Sequence, residues 1–345
     1  MLRKFSALAI IMAVTSHAFS QDSDSTKKAF NLTGSIDAYY RFNFQDAKDI
    51  GATNNFTSFT NSHNTFALGM ASLKADYTTG KVSAVLDLGF GKRATDFSYN
   101  DSSLAEYVKQ GYVSYAPSDK VKFTFGKWAT HVGYELVDAY LNRNYSMSYM
   151  FSKGPFFHTG LKADFTLGKV GIMVGVANQT DYTELSFGKK WIIGQVSGGS
   201  DKVKAYLNYQ GGKTMDETSV NQVDLVVTGT VSDQFSLGVN GTVQSIKADK
   251  QDGESWWGSA LYLNYDPTKT FGLTLRGEYF DDEKGLTDVG SKVLAATLTG
   301  NIRIDNLTIM PEFRLDNAKD EIFLKNNGDG VKSSGAFLLA VVYHF

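Results

Sequence analysis

The chain has no cysteine, and only four of its 345 residues are proline. The first absence excludes a disulfide framework and a cysteine-borne lipid anchor. The second favours long regular elements over a turn-rich scaffold. Beyond the first twenty residues no apolar run approaches the ~20 residues that a membrane-crossing helix requires. Charge of one sign is also missing. The formal net charge is -2, and removal of Arg3 and Lys4 would make it two units more negative, too little to imply a polyanionic partner such as nucleic acid. Outside the first twenty residues histidine is confined to His63, His131, His158 and His344, widely separated and without paired metal-ligand spacing.

What is present begins with a tripartite secretory pattern over residues 1–20. Arg3 and Lys4 precede an apolar core from Ala7 to Val14, and Ala18-Phe19-Ser20 stands before Gln21. This predicts cleavage with a mature start at Gln21 and a single domain over 21–345. An uncleaved anchor is the alternative, but the apolar core has less than half the ~20 residues needed to span a bilayer. Asp22 to Ala29 is polar enough to be a short lead-in.

After that leader the sequence is rich in aromatics and glycine, and its hydrophobicity is hidden in alternation. Between Leu32 and Asn43, Gly34, Ile36, Ala38, Tyr40 and Phe42 share one face while Ser35, Asp37, Tyr39, Arg41 and Asn43 share the other. Phe271, Leu273, Leu275 and Tyr279 oppose Thr274, Arg276 and Glu278. Leu307, Ile309 and Phe313 oppose Thr308, Glu312 and Arg314. The C-terminal run places Phe337, Leu339, Val341, Tyr343 and Phe345 together. Packing either face into a soluble sandwich core would bury charges or expose large aliphatics. A closed barrel in lipid accommodates both faces.

About sixteen such segments follow one another, and their connections alternate between short and long. Short ones include Thr78-Thr79-Gly80-Lys81, Thr166-Leu167-Gly168-Lys169, Asp266-Pro267-Thr268-Lys269 and Asp305-Asn306, with tight-hairpin chemistry. Longer ones fall near 46–64, 91–104, 130–156, 178–188, 210–219, 245–254, 281–291 and 316–333. The pattern predicts an all-β, transmembrane, antiparallel up-and-down β-barrel with short periplasmic turns and long extracellular loops, in the outer membrane of a Gram-negative cell. Outward aromatics band by strand end: Tyr77, Tyr115, Phe123, Phe165, Phe235, Tyr265, Phe271 and Phe345 on the turn side, and Phe42, Phe90, Tyr209, Trp257 and Tyr279 on the loop side. Pro311 predicts a local irregularity, since it cannot donate to a ladder. Trp191-Ile192-Ile193 does not declare an outward face, so fourteen strands is the alternative count.

The longest connection, 130–156, is too apolar for a freely solvated loop. It is expected to fold into the barrel mouth, with tyrosines and methionines on the wall and Glu135, Asp138, Arg143 and Lys153 facing water, narrowing the channel. A barrel of ~16 strands has a lumen too wide for wall side chains alone to fill. The alternative is a short amphipathic helix packed over the rim that touches no solute.

Gly126-Lys127-Trp128-Ala129-Thr130, Gly133-Tyr134-Glu135, the Asn142, Asn144, Ser146, Ser148 stretch and Pro155-Phe156-Phe157-His158-Thr159-Gly160 resemble the central signature of the OmpL-like beta-barrel porins. Gly34-Ser35-Ile36-Asp37-Ala38-Tyr39-Tyr40 and Pro311-Glu312-Phe313-Arg314 are similar to that family's first and penultimate strands. The resemblance extends over nearly the whole chain past the leader. It implies an outer-membrane diffusion channel and no particular solute.

On the expected lumen wall, Arg41, Lys74, Lys122, Lys162, Lys204, Arg276, Arg303 and Arg314 stand against Asp37, Asp76, Asp87, Asp164, Asp224, Glu278 and Glu312. The near balance predicts weak ion preference and passage of small hydrophilic solutes. No cofactor, metal or catalytic constellation is expected. Ser146 or Ser148 near His131 or His158 would be the one conceivable hydrolase, but no nucleophile-elbow pattern supports it. Gly89-Phe90-Gly91-Lys92 reads as a strand end, and Asn326-Asn327-Gly328-Asp329-Gly330 as an external turn lacking a calcium loop's carboxylates. Competing readings are an accessory barrel in a larger outer-membrane complex and a substrate-selective channel. Expected partners are outer-membrane lipid, small solutes, the barrel-assembly machinery through the strand ending at Phe345, and a second copy of the chain.

Overall fold

The computed structural model describes residues 28–47 and 53–345. The expected leader, its cleavage point and most of the lead-in lie outside the described residues. The first eight barrel strands are β1 (Lys28–Asn43), β2 (Thr65–Thr79), β3 (Val82–Phe90), β4 (Val108–Ser118), β5 (Val121–Ala129), β6 (Phe157–Leu167), β7 (Val170–Ala177) and β8 (Trp191–Gly199). They continue with β9 (Val203–Lys213), β10 (Ser219–Thr230), β11 (Phe235–Lys247), β12 (Glu254–Tyr265), β13 (Phe271–Asp281), β14 (Lys292–Ile304) and β15 (Leu307–Ala318), and the closing strand is Ser333–His344.

Each strand pairs with its sequence neighbours, and the closing strand pairs with β1 from Ser35↔His344 to Asn43↔Ala336. The result is a closed antiparallel barrel of sixteen strands, so Trp191–Gly199 is a full wall strand and the fourteen-strand alternative falls. Among the described residues no helix is long and apolar enough to cross a membrane. Strands do the crossing, as closure requires when no backbone edge can face hydrocarbon.

Turn chemistry matches the short connections. Gly80, Gly168 and Asp305 adopt the left-handed backbone conformation that tight hairpins demand, at φ 56°, 65° and 51°. The β14–β15 ladder lapses opposite Pro311: Thr299↔Glu312 is followed by Ile302↔Ile309, with the same register on both sides of the gap. That is the expected irregularity, produced by the missing proline donor.

The dyad holds along the wall. Ile36, Leu275, Phe313, Leu339, Val341 and Tyr343 are exposed, while Asp37, Arg41, Arg276, Glu278, Glu312 and Arg314 are buried inside. Both expected aromatic bands face outward, with Tyr77, Tyr115, Phe123, Tyr265, Phe271 and Phe345 exposed at the turn side and Phe90, Tyr209 and Trp257 at the loop side. Charged residues buried inside and large aliphatics exposed outside reverse the pattern of a water-soluble domain.

Candidate functional site

Residues 130–156 leave the top of β5 and return to β6, with the neck closed by Thr130 N–H donating to the Phe156 carbonyl at 2.9 Å. Between these ends the segment descends inside the barrel. It contains a 3-10 turn at Ala139–Leu141 and the single-turn helix α2 (Tyr149–Lys153), capped by the Ser148 hydroxyl accepting from Phe151 N.

Its attachments reach around most of the wall. Gly133 N donates to Asp224 on β10 at 3.0 Å, and Tyr134 stacks on Tyr262 of β12 with centroids 4.0 Å apart. Arg276 on β13 donates to Glu135 Oε1 at 2.6 Å and to the Ser146 carbonyl at 2.6 Å, while its Nε meets Glu278 at 2.8 Å. Tyr145 N donates to Glu312 of β15 at 2.8 Å, Tyr149 N to Glu278 at 2.9 Å, and Arg314 to the Met147 carbonyl at 2.8 Å. The Tyr145 hydroxyl donates to Asp37 of β1.

The segment also goes deeper than the mouth. Arg143 makes a bidentate pair with Asp266, at 2.8 and 2.9 Å, and Asp266 opens the short turn after β12. Tyr140 stacks on His344, the last residue of the closing strand, at 5.1 Å. The loop therefore spans the barrel from its loop side to its turn side. Burial alone would push the Asp266 carboxyl up, but Arg143 and Arg303 together hold it below the usual carboxylate range.

These contacts correct the expectation that the loop's charges face water. Glu135 and Asp138 are buried, at 4% and 8% exposure, because the wall supplies each with a cation. Arg276 serves Glu135, and Lys109 serves Asp138 at 2.5 Å and Asp87 at 3.1 Å. Arg143 is partly exposed, and Lys153 pairs with Asp288 at the outer end. Carboxylates removed from water need such partners.

The wall residues named from sequence divide into two groups. Arg276, Glu278, Glu312 and Arg314 lie beneath the loop. Arg41 is also buried and donates to the carbonyls of Thr53, Asn54 and Ser62, holding the 53–64 segment inward. Lys122 and Lys162, on β5 and β6, remain partly open to the lumen. The structure thus brings four of the wall residues and the loop into one network and leaves the two lysines apart from it.

Sequence reasoning missed three buried cations, of which Lys127 on β5 pairs with Asp101 at 2.8 Å. Arg93, in the short helix α1 (Lys92–Phe97), lies between the Phe59 and Tyr145 rings and donates to the carbonyls of Val137 and Tyr145 at 3.2 Å each. Lys109 is turned inward by a bulge in β4, where Asp87 pairs with Gln110 but Leu88 with Val108. An arginine two residues from a glycine, next to Ala94 and Phe97, was the available signal for Arg93. The bulge left none for Lys109.

Ser148 donates its hydroxyl to Glu135, and the Ser146 hydroxyl accepts from Arg276. His158 Nε2 meets Thr130 Oγ1 at 3.1 Å, and His131 Nε2 meets the Tyr209 carbonyl at 3.2 Å. Each serine and histidine of the conceivable hydrolase is therefore engaged elsewhere. Among the described residues no cluster of three or more His, Cys, Asp or Glu side chains could hold a metal ion. Asn327 and Asp329 bond to each other at the tip of a two-residue ladder, Phe323–Leu324 with Gly330–Val331.

The barrel is similar in fold to an anion-selective porin from Comamonas acidovorans, at TM-score 0.64 and 13% identity, over 92% of this chain and all of that one. The outer-membrane expressed OmpT of Vibrio cholerae gives TM-score 0.59 and 11% identity, covering 94% and 99% of the two chains. A Rh. blastica porin variant gives TM-score 0.54 and 11% identity, covering 92% and 100%. At such identities the likeness establishes the fold. No curated protein matches the chain. In sequence, the family described as "Putative beta-barrel porin-2, OmpL-like" matches residues 29–345, nearly the whole barrel. The chain belongs to this OmpL-like family of outer-membrane porins.

Proposed function

We propose that the barrel is a passive diffusion channel for small hydrophilic solutes, with the 130–156 loop setting its narrowest section. The observation carrying this reading is the loop's asymmetric placement. Most of its contacts fall on β10 to β15, the closing strand and β1, with Lys109 of β4 holding Asp138 on the other side, while the inward residues Lys74, Lys122 and Lys162 stay partly exposed and Lys204 exposed. At the outer end a recess of about 460 Å³ opens among Ser58, Asn61, Tyr99, Lys153, Gln244 and Thr287. Exposed polar surface at both ends of the lumen supports a path through it. Nothing in this reading calls for catalysis, a cofactor or energy coupling.

Purified barrel in a planar bilayer should give single-channel current, and removal of residues 136–148 should enlarge it. Electrically silent barrel that also fails to support liposome swelling refutes the reading. One feature favours the accessory-subunit alternative: the loop touches walls as far apart as Asp37 and Asp224. Silence together with stoichiometric co-purification of partners would select it. For assembly, the alternating apolar strand that ends at Phe345 is the segment we assign to recognition by the barrel-assembly machinery.

A further inference from the structure

The lumen looks nearly neutral by counting residues, but burial separates the signs. The excess carboxylates lie under the loop and are occupied by neutral donors. Glu312 accepts from Tyr145 N and the Thr299 hydroxyl, and Asp224 from Gly133 N, Asn208 and Asn240. Asp37 accepts from Tyr145, and Glu278 takes Tyr149 N as well as Arg276. Amide and hydroxyl dipoles offset these charges locally and separate them from mobile ions.

In the water-reached half the balance is different. Lys74 pairs with Asp76 at 3.5 Å and Lys162 with Asp164 at 3.3 Å, so these four cancel. Lys122 and Lys204 face inward close to the turn-side rim and make no ion pair among the described residues. Across the same rim Arg143 and Arg303 share the single carboxylate of Asp266. The inward wall carboxylates Asp76 and Asp164, like Asp266 at the rim, are each paired with a cation, while Lys122 and Lys204 remain over.

We infer that the open lumen selects small anions over cations, with Lys122 and Lys204 as specificity-determining residues and the Arg143–Asp266–Arg303 cluster adding one further positive charge. The inference rests on the channel reading above and sharpens its substrate class. It also replaces the weak ion preference expected from residue counts. Rings of uncompensated charge within a Debye length of the axis raise the local counter-ion concentration. The lysines act as point charges rather than as a shaped binding site, so inorganic chloride suffices as probe.

The test is the reversal potential of single channels under a KCl gradient. Wild-type barrel should pass chloride over potassium by roughly threefold or more. Lys122→Gln with Lys204→Gln should bring that ratio toward one while conductance persists, which shows that the barrel has folded. Lys319→Gln, at an external loop, should leave the ratio unchanged. Conducting channels that prefer potassium, or whose ratio ignores the double substitution, overturn this inference alone. Silent membranes overturn it together with the channel reading.

Discussion

Replacing Arg276 with methionine tests whether the loop is held by its buried charges. The side chain is fully buried and joins Glu135 and Glu278 to the carbonyls of Ser146 and Met147. Arg276→Met leaves two carboxylates, each about 4% exposed, without that cation. Breaking a buried pair by removing one partner costs about 3–5 kcal/mol. The barrel ladders do not depend on this residue's side chain, so the cost falls on docking of the loop. It raises the population of the undocked segment by roughly 10²–10⁴-fold. Amide exchange read by mass spectrometry on peptides covering 143–153, with the protein in nanodiscs, should accelerate by that order, while β5 and β6 keep their protection. Adding Glu135→Gln should recover part of the loss, because one stranded charge then disappears. Unchanged protection in the single variant, or melting of loop and wall together, would refute the reasoning.

Two further outcomes follow from the same packing and from one buried acid. A Cβ added at Gly238 would lie 2.4 Å from the Tyr134 ring, so Gly238→Val should push that ring off Tyr262 and make single-channel current noisier while the barrel still folds; indistinguishable current would count against close packing there. Asp181, in the external loop after β7, accepts from the Phe156 and Phe157 amides and from Tyr99, and burial pushes its pKa up to about 7. A carboxyl raised above its unfolded value binds more protons when folded, so its contribution is full below about pH 4 and is lost as pH rises through about 7. Amide exchange in 178–188, corrected for its intrinsic pH dependence, should therefore slow on acidification. Asp181→Asn should flatten that response, and persistence of the response in the variant would assign it to another group.

The wall was readable because a strand's period of two is a local property: knowing Phe271 to Phe280 suffices to orient Arg276 inward and Leu275 outward. Turns were readable for the same reason, through Gly80, Gly168 and the Asp305-Asn306 pair. The loop's path was not. That Glu135 meets Arg276, or Arg143 meets Asp266, depends on positions more than a hundred residues apart, and no pattern within 130–156 names those partners. Its apolar content predicted burial, and that much held. The expectation of water-facing charges failed because an isolated segment gives no sign of the opposite charges waiting on the wall.

Lys109 and Lys122 show what a residue tally does not resolve in the lumen. Both belong to neighbouring wall strands, yet a one-residue bulge sinks Lys109 between Asp87 and Asp138, while Lys122 stays at the open rim without an ion pair among the described residues. One cation fastens the loop and the other faces the path. The acidic side divides in the same way, since Glu278 and Glu312 grip loop amides whereas Asp76 and Asp164 each neutralise the lysine two residues before them. Loop docking thus occupies charges of both signs, since loop amides take Glu278, Glu312 and Asp224 while loop carbonyls and carboxylates take Arg276, Arg314 and Lys109. The charge left over in the remaining space is therefore set by which wall residues the loop leaves unused, and here Lys122 and Lys204 are among them. The anion preference inferred above is thus a consequence of how the loop is fastened, and it should change with any variant that refastens the loop.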